Sequence, residues 1–153
     1  MRGEFKSTLD AKGRMNFPVK LREELDGSFF ISKTIGERCI KVYSKDDWNA
    51  LVEAIHQMPQ VKTADIQRYI FGSAYEVEPD KQGRVLIPQP LREYARLQTD
   101  IVIVGLEGRA EIWDKALWDE RNENLDMDDM RSVAMEMGLY WNFHINRCFL
   151  TKL

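Results

Sequence analysis

Cysteine and histidine are scarce in this sequence. Its 153 residues hold two of each: Cys39 and Cys148, His56 and His144. Cysteines so far apart make neither a Cys-x-x-Cys site nor a disulfide framework, so both are expected to be buried or inert. Neither histidine has a second His or a Cys at metal-ligand spacing. Surface or packing roles remain, and neither metal nor cofactor is expected. The glycines do not cluster into Gly-x-Gly-x-x-Gly or a phosphate-binding loop, and no Gly-x-Ser-x-Gly elbow presents a serine. The sequence offers nothing on which to base catalysis. No apolar run approaches the roughly 18 residues that a spanning helix requires, and Met1-Arg2-Gly3-Glu4-Phe5-Lys6 is not built like a signal peptide. A cytoplasmic, non-enzymatic protein is expected.

A hydrophobic share of 44% and a charged share of 31% suit a globular chain. The net charge of −3 argues against nucleic-acid binding by default, but its distribution is uneven. Arg2, Lys6, Lys12, Arg14, Lys20 and Arg22 face only Glu4 and Asp10 in residues 1–22, a local +4. Residues 114–131 set Asp114, Asp119, Glu120, Glu123, Asp126, Asp128 and Asp129 against Lys115, Arg121 and Arg131, a local −4. Such a molecule can present one face to phosphate.

One stretch occurs twice. Asp10-Ala11-Lys12-Gly13-Arg14-Met15-Asn16-Phe17-Pro18 is followed by Leu21 and Arg22. Seventy residues on, Asp80-Lys81-Gln82-Gly83-Arg84-Val85-Leu86-Ile87-Pro88 is followed by Leu91 and Arg92. In the same register Phe5 falls on Tyr75, Glu23 on Glu93, Ile31 on Ile101, Lys45 on Lys115 and Trp48 on Trp118. The chain is two copies of one unit. Asp three residues before Gly is turn chemistry: the carboxylate accepts backbone N–H groups, and Gly tolerates positive φ. An apolar strand follows, then Pro at a helix start, where its missing N–H is harmless. Asp10, Gly13, Asp80 and Gly83 therefore build two turns, each exposing an arginine. A carboxylate dyad of Asp10 and Asp80 is disfavoured because both lie in positively charged turns.

The pattern Asp-x-x-Gly-Arg-x-x-apolar-Pro-x-x-Leu-Arg resembles the signature of AbrB-like swapped-hairpin DNA-binding domains. A tandem pair, with Arg2-Gly3-Glu4-Phe5 near the amino end and Glu111-Ile112-Trp113-Asp114 closing the second unit, resembles the MraZ family of bacterial transcriptional regulators. The resemblance spans roughly residues 1–138. It implies an α+β fold: two swapped-hairpin β units related by a pseudo-twofold axis in one chain, flanked by amphipathic helices. It also implies a nucleoid-associated repressor of the division and cell-wall gene cluster. That regulator binds double-stranded DNA at short G-rich direct repeats in its own promoter, as a homo-oligomeric ring.

The resemblance moves Arg14 toward DNA contact. By residue chemistry alone, Arg14 either grips phosphate or guanine or braces its turn through Asp10. Arg84, beside Lys81 in a less basic turn, either touches DNA or is structural. Arg22 is the better DNA candidate of the helix pair Arg22 and Arg92, which otherwise brace neighbouring acids. Arg2, Lys6, Lys12 and Lys20 would supply nonspecific phosphate contacts. Trp48, Trp113 and Trp118 are expected in packing. Two rivals stand beside the repressor: an AbrB-like antitoxin-type module, and a scaffold that regulates a partner enzyme without touching DNA.

The expected organisation is a first repeat at 1–58, a linker and bridging helix at 59–71, a second repeat at 72–125, and a carboxyl-terminal helix and apolar tail at 126–153. Strands are predicted at 2–9, with 14–17 as its partner, and at 28–33 and 39–43, then at 73–78, 84–87, 100–105 and 109–113. Short helices are predicted from Pro18 and Pro88, an amphipathic helix from Ser44 to about Met58, and a bridging helix from Ala64 to Phe71. Asp114 caps a further helix, and Asp126 begins the last, which stops at Gly138. Pro59–Thr63 reads as linker, and Ile66, Tyr69 and Ile70 as cover for the shared core. The tail departs from the MraZ pattern, and its apolar content suits docking on the protein or on a neighbouring subunit.

Overall fold

The computed structural model describes residues 1–139; the tail beyond, with His144 and Cys148, lies outside the described residues. In chain order the elements are β1 (Arg2–Thr8), β2 (Arg14–Asn16), α1 (Val19–Leu25), β3 (Phe29–Thr34), β4 (Glu37–Tyr43), α2 (Lys45–His56) and α3 (Gln60–Phe71). There follow β5 (Tyr75–Val77), β6 (Arg84–Leu86), α4 (Gln89–Tyr94), β7 (Asp100–Leu106), β8 (Arg109–Asp114), α5 (Lys115–Glu123) and α6 (Met127–Glu136). The α+β fold of two repeated units is as expected. No described helix is long and apolar enough to cross a membrane.

Caps fall where local chemistry places them. Ser44 Oγ accepts from the Asp47 N–H at 3.1 Å, and Asp126 Oδ1 from the Asp129 N–H at 3.0 Å. Gly138 takes φ +73° just past α6. One expectation is corrected: 60–63 is the first turn of α3, and Pro59 is its N-cap. A proline there leaves an orphan N–H position unfilled at no cost, so the residue that reads as a break starts a helix instead.

The topology exchanges strands between the repeats. A six-stranded antiparallel sheet runs β1-β7-β8-β4-β3-β5, and a second ladder pairs β2 with β6. The first strand of each copy thus pairs with the other copy: β1 with β7, β5 with β3. The expected pairing of 2–9 with 14–17 is corrected to a single Leu9–Met15 bridge, because β2 takes β6 as its partner. Two pairs join equivalent positions of the repeat, Met15↔Val85 in the short ladder and Lys41↔Glu111 at the β4–β8 junction. The pseudo-twofold axis passes through both.

One core serves both copies. Phe17, Leu21, Phe29, Ile31 and Ile40 of the first copy pack with Val85, Ile87, Leu91, Ile103 and Ile112 of the second. All ten are almost fully buried. Burial of a large apolar side chain stabilises by roughly 1.5–3 kcal/mol, and neither copy can enclose these side chains by itself. The opposite face of the sheet carries two smaller clusters. Trp113 joins Cys39, Val102 and Val104, with Leu117 and Trp118 packed against them. Trp48 stacks on Phe30 at 4.9 Å beside Tyr43 and Ile70. Packing is therefore the role of all three tryptophans. α3 does not cover the main core as expected. Ile70 joins the Trp48 cluster, Ile66 is partly exposed, and the Tyr69 hydroxyl lies within hydrogen-bonding distance of Tyr94 Oη and the Thr34 carbonyl. Cys39 is buried, its thiol 3.3 Å from Thr34 Oγ1, and desolvation pushes that thiol up to about 12, so it stays protonated and inert.

Residues Met1–Trp118 form one compact unit, and a second begins at Asp119. Within the second, α6 buries none of its residues, and Met127, Met130 and Val133 are exposed.

Candidate nucleic-acid interface

The two repeated turns close in the same way. Asp10 Oδ1 accepts the backbone N–H groups of Lys12 and Arg14, both at 2.9 Å, and Oδ2 accepts Arg14 Nε at 2.8 Å. Asp80 Oδ1 accepts the N–H groups of Gln82 and Arg84 at 2.9 Å, and Oδ2 accepts Arg84 Nε at 2.9 Å. Gly13 and Gly83 complete the turns at φ +83° and +78°, donating to the Asp10 and Asp80 carbonyls. The bracing reading of Arg14 is what the structure shows. Nε braces the carboxylate, while the Nη edge has no partner among the described residues. The Arg14 and Arg84 side chains keep 30% and 31% of their surface open.

Arg22 and Arg92 lock these turns across the axis. Arg22 Nε donates to its own Phe17 carbonyl at 3.0 Å, and its guanidinium lies against Gly83 of the other copy. Arg92 mirrors this with the Ile87 carbonyl at 2.9 Å and Gly13. Phe17 N–H donates to the Gly83 carbonyl and Ile87 N–H to the Gly13 carbonyl. The helix arginines thus brace the opposite repeat's turn, where local reading pointed to neighbouring acids. Any group at Gly13 or Gly83 larger than hydrogen would meet a guanidinium.

The bonds at the turns move their carboxylates. The Arg14 backbone N–H holds Asp10 below the ordinary aspartate range; desolvation opposes it, and the Arg14 side chain and the Lys12 N–H add to the lowering. Arg84 and Gln82 do the same for Asp80. A carboxyl depressed in the folded state adds stability above its unfolded value, about 3.9. That contribution is lost as pH falls through the lowered folded value. Chemical denaturation at stepped pH should therefore show the Asp10→Asn/Asp80→Asn variant weaker than the natural chain at pH 6, with the gap closing below about pH 4. A gap that persists at pH 2 would contradict these bonds.

The β2–β6 ladder presents the arginines together. Its register is Arg14↔Leu86, Met15↔Val85 and Asn16↔Arg84. The middle pair is buried, so the flanking pairs share the outer face. Asn16 and Leu86 were not singled out from sequence, although period-2 alternation from Arg14 puts Asn16 on the same face. The remaining candidate cations are exposed. Lys12 and Lys81 sit exposed at the turn tips, Lys20 on α1 and Lys6 on β1. Arg2 is exposed and pairs with Glu107 at 3.1 Å. Glu4 receives the indole N–H of Trp118. No described group of His, Cys, Asp and Glu is arranged to hold a metal.

The family model for MraZ protein, whose description adds an antitoxin-like label, matches the chain twice, over residues 1–68 and 70–137. The chain is 40% identical over 141 residues to the "Transcriptional regulator MraZ" of Caldicellulosiruptor bescii, a match covering 90% of this chain and 98% of that protein. It is 38% identical over 141 residues to the protein of the same name from Pediococcus pentosaceus, with 90% and 98% covered. With that from Caldanaerobacter subterraneus subsp. tengcongensis it shares 39% identity over 127 residues, covering 82% and 88%. The two family matches follow the repeat read from the sequence.

Proposed function

The chain belongs to the MraZ family of transcriptional regulators, not to any family of enzymes, and from that premise we propose that it represses its own promoter. In this reading it is a ring of copies on short direct repeats of duplex DNA, within the division and cell-wall gene cluster. The observation that carries the proposal is the paired turns on one ladder, each holding an arginine by Nε and leaving the Nη edge open. A guanidinium so fixed loses little freedom on gripping phosphate or guanine O6/N7. Residues 1–58 and 72–125 act as the two halves of one reading head, 59–71 as their connection and 126–153 as a separate region. Lys12, Lys20 and Lys6 would meet backbone phosphates, with Lys81 on the second turn. Because the pseudo-dimer is complete within one chain, further association is free to be head-to-tail, and such contacts close into rings when the rotation permits. Several weak heads on successive repeats then bind tightly through high effective concentration. The protein works in the cytoplasm at the nucleoid.

Binding to a promoter duplex, followed by gel shift across a salt series, tests this. With six or more phosphate contacts, affinity should fall on the order of a thousandfold between 50 and 200 mM salt. The Lys12→Ala/Lys20→Ala variant should lower the logarithmic salt slope by about 2. No shift at low salt, or a slope near zero, would sink the proposal and favour a partner-regulating scaffold.

A further inference from the structure

The outer face of the β2–β6 ladder holds four side chains: Arg14 opposite Leu86, and Asn16 opposite Arg84. The pseudo-twofold axis exchanges Arg14 with Arg84, which are chemically the same. It also exchanges Asn16 with Leu86, which are not. The amide of Asn16 has no hydrogen-bond partner among the described residues, while Leu86, at the equivalent position, leaves 53% of its surface in water. A leucine left half in water between two arginines gains only part of the stabilisation that burial could give it.

We infer that Asn16 and Leu86 determine the specificity and direction of base reading, a step that rests on the DNA-binding reading above. The major groove admits a two-stranded β-ribbon. Arg14 and Asn16 stand two residues apart on one strand, about 6.8 Å, which matches roughly two base-pair steps. The guanidinium groups of Arg14 and Arg84 are identical at equivalent positions and distinguish no base order by themselves. The Asn16 carboxamide is a donor–acceptor pair suited to adenine N6/N7, and an apolar side chain suits the thymine methyl. A head with an amide at one end and a leucine at the other distinguishes a half-site from its reverse complement. Such a head favours sites repeated in one direction over palindromes. The preference follows from the one pair of equivalent positions that differs on the outer face.

Selection from a randomised duplex pool, with the full-length natural chain, Asn16→Leu, Leu86→Asn and the N16L/L86N exchange, tests the assignment. Both positions are exposed, and equal melting temperatures confirm that the variants fold. The natural chain should enrich an asymmetric core containing an adenine. Asn16→Leu should lose that adenine preference and bind the natural core about tenfold more weakly, with binding to unrelated duplex unchanged. The exchange variant should select the same core in the reverse direction. If Asn16→Leu and the exchange both enrich the natural core in its natural direction, the assignment is overturned while the DNA-binding reading stands. If the natural chain enriches no sequence, that reading fails and the assignment with it.

Discussion

Replacing Arg14 by alanine should abolish promoter binding at physiological salt while leaving the fold and the assembly as they are. Each head would lose a bidentate contact worth about 1–3 kcal/mol. Where several heads bind one duplex, the loss recurs at every head, so an overall drop on the order of a hundredfold or more is expected. The turn itself should survive, because Asp10 Oδ1 still accepts the backbone N–H groups of residues 12 and 14. The lost ion pair is partly exposed and contributes little to stability. Arg14→Lys separates two roles: an ammonium keeps the charge but not the planar fork. It should retain salt-sensitive binding to any duplex and lose discrimination between promoter and unrelated sequence. Arg84→Ala, in the less basic turn, should weaken binding less than Arg14→Ala. Titration of the variants against one labelled promoter fragment, with mass measurement of each, checks all three. Affinity of Arg14→Ala within twofold of the natural chain would remove this arginine from the interface.

The second large effect is on stability. Gly83 sits at φ +78°, and a Cβ there would lie 2.6 Å from Arg22 Cζ and 2.7 Å from its Nη1. Alanine in the left-handed region costs about 1–3 kcal/mol. Arg22 must then move as well, giving up its bond to the Phe17 carbonyl, about 1 kcal/mol more. The sum, about 2–4 kcal/mol, corresponds to a melting temperature lower by roughly 5–15 °C for a chain of this size. Gly36 offers the comparison, since its φ is +84° but nothing lies within 4 Å of an added Cβ. Gly36→Ala should carry the backbone cost alone. In an Arg22→Ala background, Gly83→Ala should cost no more than Gly36→Ala does. Equal melting temperatures for the two glycine variants in the natural background would mean that Arg22 does not clasp the opposite turn.

The duplication, both Asp–Gly–Arg turns and most elements were readable because they depend on local chemistry. Ser44 and Asp126 cap, Gly138 stops a helix, and alternation marks the strands. What needed the structure was anything set by partners distant in sequence. Pro59 has the same local signature whether it ends a linker or begins α3. Period-2 alternation gives the face of β1 but cannot name β7 as its neighbour; the intervening Asp10 turn pointed instead to 14–17, which keeps only the Leu9–Met15 bridge. Arg22 and Arg92 looked toward nearby acids because nothing local indicates that the opposite turn approaches them. Asn16 and Leu86 went unremarked for a similar reason. Each is ordinary on its own strand, and only the register of the β2–β6 ladder makes them counterparts.

The exchange of first strands has a consequence for synthesis. While the amino-terminal copy emerges from the ribosome, Phe29 and Ile31 have no lid and β1 has no neighbour, because both wait for residues of the later copy. The nascent half is sticky until β7 and β8 are made, and a chain released early would carry an open sheet edge and a bare apolar surface. Two copies in one polypeptide keep the missing half tethered and soon to arrive, whereas separate chains would have to find each other in a crowded cell.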